Sequence, residues 1–547
     1  MKRHHKMNAL VIDAFTENKR DLNLQIGVGP RLIATVISDK GIVCDLAWFK
    51  SVEENPEILK GYSIILVSGF TASRKIISDI LDLIYIMNPS AVKIIGGPIV
   101  FDPDDYFSSS RFDIAVIGEG EKTIEALIDS KFDSGSMQDI KGVAFKSAEK
   151  TIFTGYRAPL EKNELNRIPD VRYVSAYPHY KFTRVSVECV RGCSNFNRPT
   201  IELPDGRKCI ECKNCESEKL DERLNCPADI PPGCGYCCVP GMFGPPRSRK
   251  RAVIVKEIQR LIEVGVTKIA LSAPDLLDYM RDELIPGTNL TDPFNPPPNY
   301  HELDKLLFEI SSLKGVNESV FISIDELKPT LLNEMILKII AKHLPGSTII
   351  LVCESGSDEQ LKEIGRPFPV KKNVELTKMA SEMGLVALSF FINSLPNQTS
   401  DRMSSSLALM DDLENAGCHR ALCYKLAALP ATAFYGMSVA ENEYDKVIYD
   451  RAEELNLRTV KRYIGESQNV LVVVENHVFE PRMKKTGRHH TQKPFNCAIG
   501  FLKQDVGIYS PMFIIMDPDK NLKIGNRVRV TADRVLSPRA VIAHLIS

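Results

Sequence analysis

Nine of the fourteen cysteines in this 547-residue chain fall between Cys189 and Cys238. Disulfide scaffolds are short and secreted, whereas a long chain that gathers its thiols in one stretch does so most simply to ligate metal. The N-terminus, Met1-Lys2-Arg3-His4-His5-Lys6, is basic, but the apolar stretch from Ala9 to Ile12 is too short for the core of a leader. No run of 18 apolar residues occurs, so the expectation is a cytoplasmic protein without a membrane partner. The five remaining cysteines, Cys44, Cys353, Cys418, Cys423 and Cys497, are read as small buried hydrophobes.

The length predicts about three domains. A composition of 44% apolar and 25% charged residues can fill their cores, and a net charge of −1 leaves any nucleic-acid surface to a local patch. Across 1–150, apolar runs (Ala9–Ile12, Cys44–Trp48, Ile64–Val67, Val92–Ile95, Ile114–Ile117) alternate with helix-period segments (Arg31–Ile37, Lys75–Met87, Lys122–Ile128). Continuously apolar strands suit burial on both faces, hence an open, mostly parallel, doubly wound α/β sheet. Ligands of such sheets sit at the carboxyl ends of the strands. There lie Ser68-Gly69-Phe70-Thr71, Gly96-Gly97-Pro98 and Gly118-Glu119-Gly120-Glu121, whose glycines admit a close flat ligand or simply make tight turns. The order GVGPRLIATVISDKG, IILVSGFTAS, KIIGGPIV, DIAVIGEGE resembles the cobalamin-binding domain that precedes many radical S-adenosylmethionine (SAM) enzymes. That resemblance implies a Rossmann-like domain and makes Gly69, Gly96, Gly97, Gly118 and Glu119 candidate cobalamin contacts. No histidine occurs between Lys6 and Pro178, so cobalamin would bind without an imidazole from this domain.

In the segment 180–450, Glu188-Cys-Val-Arg-Gly-Cys193 is followed, about 40 residues later, by Gly233-Cys-Gly-Tyr-Cys237. Soft thiolates suit iron–sulfur clusters. The pattern is similar to the C-x3-C-x2-C motif of radical SAM enzymes, interrupted after its first cysteine. Further on, ILVCESGSDEQLKEIGRP and GLVALSFFINSLPNQT resemble the core of the methylthiotransferase-like radical SAM group. The resemblance implies a partial (β/α)6 TIM-like barrel. Its 4Fe–4S cluster would be held by Cys193, Cys234 and Cys237, with Cys189 or Cys238 as alternative ligands. One iron would be left free to chelate SAM, and Glu354, Ser355 and Arg366 are the candidates to contact it. Ser323, Asp325 and Glu326 end a strand and are expected to face the cavity.

Within the interruption, about 195–232, Cys209-x2-Cys212-x2-Cys215 and Cys226-Pro227 form a knuckle. Closely spaced thiols of this kind wrap either a structural Zn2+ or a second 4Fe–4S cluster. Over 464–547 the short runs Val470–Val474, Phe495–Ile499, Phe513–Ile515 and Arg527–Thr531 predict a small antiparallel β-barrel. From Arg482 to the end there are twelve Lys or Arg against four Asp, with a basic run of Arg482, Lys484, Lys485, Arg488 and Lys493 that suits a phosphate backbone. The segments GESQNVLVVVEN and IGNRVRVTADRVL resemble a TRAM domain, the RNA-binding barrel of tRNA methylthiotransferases.

Three functions follow as expectations. The first is a cobalamin-dependent radical SAM methyltransferase acting on RNA (tRNA) or a protein, with a cytoplasmic electron donor. The second is a tRNA methylthiotransferase with an auxiliary cluster, although 1–150 holds only Cys44 as a thiol. The third is a non-catalytic RNA-binding iron–sulfur protein.

Overall fold

A computed structural model describes residues 7–15, 25–147, 150–439, 442–479, 495–502, 504, 509–516 and 521–546. The N-terminal sheet contains β1 (Asn8–Asp13), β3 (Val43–Trp48), β4 (Ile64–Ser68), β5 (Val92–Gly96), β6 (Ile114–Val116), β7 (Val143–Ser147) and β8 (Lys150–Phe153), in the order β3-β1-β4-β5-β6-β7-β8. The first five are parallel and β7–β8 is an antiparallel hairpin at the edge. Helices 29–39, 74–87 and 120–129 cover both faces. That double cover is why β4 reads as an unbroken apolar run. All five expected strands and three expected helices are present, with ends shifted by a few residues. Strand β2 (Gln25–Ile26) departs from the sequence reading. It leaves this sheet and pairs in parallel with Arg184 and Val185 of the next one.

The second sheet system carries β9 (Arg184–Glu188), β12 (Lys268–Ser272), β13 (Phe321–Ile324), β14 (Thr348–Glu354), β15 (Val386–Asn393) and β16 (Arg420–Lys425). The ladders β2-β9-β12-β13 and β14-β15-β16 are wholly parallel and are joined by a bridge between Leu327 and Leu351. Helices alternate with these strands, as parallel crossovers require. A short antiparallel pair, β10 (Val190–Arg191) with β11 (Arg247–Ser248), brackets everything between them. The chain therefore leaves the end of β9, makes a long excursion, and returns to the place it left.

The last five strands, β17 (Ser467–Phe479), β18 (Phe495–Leu502), β19 (Met512–Ile515), β20 (Arg527–Ser537) and β21 (Ala540–Leu545), close into a barrel in the order β17-β18-β19-β21-β20. Closure leaves no free edge. Strand β21 was not foreseen from sequence. The barrel shares a core with the preceding sheet, where Ile350 and Leu388 pack with Val470, Phe513 and Val541. The basic run Arg482–Lys493 lies outside the described residues. Among the described residues, no helix is long and apolar enough to cross a membrane.

The N-terminal sheet and the second system are welded by buried charge. Arg31, wholly buried, donates to the carbonyl oxygens of Gly27 (2.9 Å) and Ser186 (2.6 Å) and lies 3.9 Å from Glu257. Arg249 donates to the other oxygen of Glu257 at 2.8 Å and to the carbonyls of Leu165, Glu188 and Arg167. Removing one member of such a network leaves the others charged and dry. Glu257→Ala is therefore expected to cost about 3–5 kcal/mol in urea unfolding of the full chain, and a loss below about 1 kcal/mol would contradict this account.

Candidate functional site

The excursion places Cys193 and Cys234 side by side. Besides the β10–β11 pair, Cys193 N donates to Gly244 O (3.1 Å) and Gly233 N to Asn197 O (2.7 Å). Asn195 then joins the two thiols, its backbone N–H reaching Cys193 Sγ and its side-chain amide Cys234 Sγ, each at 3.3 Å. Cys237 N donates to Cys234 O at 2.8 Å. Gly235 between them has no alternative, because a Cβ there would sit 2.3 Å from the Phe434 ring. Burial pushes the Cys237 thiol well above its ordinary range, and charge on Cys234 and Cys193 adds to this, so the three sulfurs share one low-dielectric pocket. Cys189 is wholly buried, with Arg249, Glu257, Glu188 and Asp325 as its charged neighbours. Cys238 follows Cys237 at the start of the short helix 239–243.

Two cationic side chains flank the pocket. Lys328 Nζ lies 2.8 Å from Cys193 Sγ, and Arg366 Nη1 lies 3.7 Å from Cys234 Sγ. Arg366 also donates to Val352 O at 3.1 Å and stands 3.8 Å from Glu354. Glu354 is buried and accepts from the Tyr236 hydroxyl. It occupies the left-handed region at φ 63°, where β14 bulges. A non-glycine residue held there costs about 1–3 kcal/mol and is retained where the surroundings impose it. Ser355 is turned into its own loop, with Oγ donating to Gln360 at 2.7 Å and accepting from Ser357 N. Sequence reasoning missed Lys328 because a lysine after a strand reads as surface. Its one signal was its position in Asp325-Glu-Leu-Lys328, directly beyond β13.

Glu326, two residues before Lys328, is exposed and has Asp325, Lys328, Arg366 and Glu354 as charged neighbours. Burial pushes its carboxyl up to about 7, with Asp325 adding and Lys328 and Arg366 opposing. Asp325 stands 3.7 Å from Arg184, and Ser323 is buried below it.

The glycine loops of the first sheet lie together at the carboxyl ends of its strands. Gly69 N donates to Gly96 O at 3.2 Å, and a Cβ at Gly97, at φ 92°, would meet Gly69 O at 2.6 Å. These two glycines serve the contact between loops. Gly118, by contrast, faces open space, and Phe70 exposes nearly half its surface on the same edge, 5.6 Å from Phe15. The Glu119 carboxylate has another occupation. It accepts from Arg247 at 2.6 Å and from Leu160 N, with Arg191 at 3.5 Å. Arg191 in turn pairs with Glu121 at 2.9 Å and Glu188 at 2.8 Å. Glu119 thus clamps this edge to the loop carrying Cys193. A second tie joins Asp105 to Tyr435 at 2.9 Å.

In the knuckle, buried Arg198 donates to Cys215 Sγ at 3.3 Å and to the carbonyls of Phe196, Arg223, Leu224 and Ile230. Cys212 and Cys226 lie within electrostatic reach of Cys215, whose thiol is pushed up by burial. Cys209 and Cys226 rest against Leu203, Ile230 and Leu361. Among the described residues, no three His, Cys, Asp or Glu side chains converge on a single ion. For Cys193, Cys234 and Cys237 the donor set itself supplies the fit. Three soft thiols, two of them buried and one half-buried, with cations beside Cys193 and Cys234, suit an iron–sulfur cluster whose ligands bind different irons.

The Radical SAM superfamily model matches residues 226–410, which include Cys234, Cys237 and β12 to β15. An uncharacterized protein of Methanocaldococcus jannaschii is 33% identical over 472 residues, covering 85% of this chain and 88% of its own length. Another, from Methanopyrus kandleri, is 32% identical over 475 residues, covering 85% and 86%. The chain belongs to their family. It is a radical SAM enzyme. The ribosomal protein uS12 methylthiotransferase RimO of Pseudothermotoga lettingae is 26% identical over 261 residues, 45% of this chain and 54% of that enzyme. Two solved structures share the fold at 12% identity. The cobalamin-dependent SAM radical enzyme OxsB with aqua-cobalamin bound gives a TM-score of 0.56 over 82% of this chain and 56% of that one. The radical SAM methyltransferase TsrM from Kitasatospora setae gives 0.53 over 78% and 74%. Their extent shows the α/β fold.

Glu326 generates a pH prediction for the metal-free chain. Its folded carboxyl titrates near 7 against 4.5 for the free side chain, so the folded state holds its proton more tightly. The stability it contributes is full below about pH 4.5 and is lost as pH rises through 7. Glu326→Gln is expected to flatten the urea-midpoint profile across that window, and an unchanged slope would refute the assignment.

Proposed function

We propose that the protein is a cobalamin-dependent radical SAM methyltransferase acting on RNA, with tRNA the simplest substrate. The carrying observation is that the glycine-lined edge of the first sheet meets the mouth of the thiol pocket, tied there by Glu119 to Arg247 and Arg191, and by Asp105 to Tyr435. In this reading the open side of Gly118 is where a flat cofactor would rest. In this reading 1–150 binds cobalamin, 180–450 is the radical core and 464–547 is a TRAM-like barrel that recognises RNA.

Cys193, Cys234 and Cys237 hold the cluster, leaving one iron for SAM. With SAM and cobalamin bound, the cofactors would supply a 5′-deoxyadenosyl radical and a transferable methyl group. Arg366 offers its guanidinium to the carboxylate of SAM, and Glu354, held by Tyr236, fixes the Arg366 side chain and keeps its charge balanced. Cys209, Cys212, Cys215 and Cys226 hold Zn2+ or a second 4Fe–4S cluster, and a cytoplasmic donor supplies the electron.

The methylthiotransferase reading draws on the likeness to RimO and on a tRNA-2-methylthio-N(6)-dimethylallyladenosine synthase of Clostridium botulinum, 27% identical over 268 residues. Against it, the only thiol of 1–150, Cys44, is buried in the sheet and pushed up to about 12 by that burial.

Two measurements test the proposal. Anaerobically reconstituted protein should hold stoichiometric cobalt and cleave SAM to 5′-deoxyadenosine, while Cys234→Ala should lose cleavage and the absorbance of one 4Fe–4S cluster. Two clusters with no cobalt would favour methylthiolation. Full-length protein should bind tRNA with strong salt dependence, and Lys484→Ala/Lys485→Ala/Arg488→Ala should lower the log–log salt slope by about 3. Salt-insensitive affinity for tRNA would redirect the search to a protein substrate.

A further inference from the structure

The residues described so far hold a cluster but leave one group unexplained, a buried lysine against a ligand sulfur. Lys328 extends from the loop beyond β13 and places Nζ 2.8 Å from Cys193 Sγ. Its position is fixed from behind. Its backbone N–H donates to Asp275 Oδ1 at 3.2 Å, and Asp275 is itself locked by Leu277 N at 3.0 Å. Asp278 holds the Cys193 loop from the same side, accepting from Ser194 N at 3.2 Å while paired with Arg281. The ammonium is therefore built into the wall. The donors are also distributed unequally. Cys193 receives Lys328 and a backbone N–H, and Cys234 receives Asn195 and Arg366. Among the described residues, no side-chain donor is drawn to Cys237.

We infer that Lys328 is a positioning residue that sets the reduction potential of the radical SAM cluster, by holding a fixed positive charge and hydrogen bond against the Cys193 ligand. Reduction adds one electron, taken from a low-potential donor, to the oxidised cluster. The extra negative charge spreads onto the ligating sulfurs, so a cation hydrogen-bonded to one of them favours the reduced form. In a dry pocket this attraction is weakly screened. Arg366 cannot substitute, being farther from its sulfur and shared with Glu354 and Val352 O. The inference rests on Cys193, Cys234 and Cys237 holding that cluster.

The test is a potentiometric titration of the full-length, anaerobically loaded protein without SAM, followed by the electron paramagnetic resonance of the reduced cluster. Absence of any 4Fe–4S signal from the wild type would sink the ligand assignment itself. With the signal present, Lys328→Gln should lower the one-electron reduction equilibrium at least tenfold, a midpoint about 59 mV more negative, while Lys328→Arg stays near the wild type. A wild-type midpoint in Lys328→Gln, or an equal shift in Lys328→Arg, overturns the inference. If Lys328→Gln fails to load while Lys328→Arg loads normally, the charge requirement stands. If neither loads, Lys328 is a packing residue and the inference falls.

Discussion

The return of the chain after its long excursion is the constraint on which the site depends. A loop of about 40 residues closes at modest extra entropic cost compared with a short one, provided something pins its ends. The β10–β11 pair does this, together with the bonds from Cys193 N to Gly244 O and from Gly233 N to Asn197 O. Asn195 then serves both thiols from one side chain and one backbone N–H. The interruption between the cysteines is thus absorbed by backbone pairing, which brings Cys193 and Cys234 to the two ends of one asparagine.

Buried charge does the remaining positioning. Arg31, Glu257 and Arg249 fix the first sheet to the second. Glu119, Glu121 and Glu188 surround Arg191, two residues before Cys193. Both networks are expensive to break, since a lone charge left behind would be dry. They hold the glycine edge and the loop that carries Cys193 in one fixed relation.

Strand and helix placement was legible where the pattern was local. The apolar runs of β1, β3, β4, β5 and β6 are each about as long as a strand and are bounded by glycine or polar turns. Cys234-Gly-Tyr-Cys237, inside the segment that matches the radical SAM family, was legible for the same reason, since its spacing is short. What depends on distant parts of the chain was not. Glu119 sat in a glycine loop and was read as a ligand contact, because its partner Arg247 is 128 residues away. The hydrogen bond from Ser355 to Gln360 is likewise invisible in the sequence, although only five residues separate them. Lys328 carried no periodic signal, and its burial arises only when three loops meet. Strand β21 does not stand out in the sequence although Ala540–Leu545 is mostly apolar and follows β20 through a two-residue hairpin, because Pro538-Arg539 is not one of the dipeptides that announce such a turn.

The placement of β2 has a consequence for how the chain can be assembled or divided. The polypeptide begins one sheet with β1, visits the neighbouring sheet at Gln25–Ile26, and only then comes back to continue the first. Gln25 seals the visit by bonding Ser186 at 2.7 Å and accepting from Arg184 at 2.6 Å. The two units are interleaved, not strung in series. A cut near residue 150 would strip the core of an edge strand and leave that strand dangling from the other fragment. During synthesis, the early segment must wait for β9 to emerge before its own register can be set.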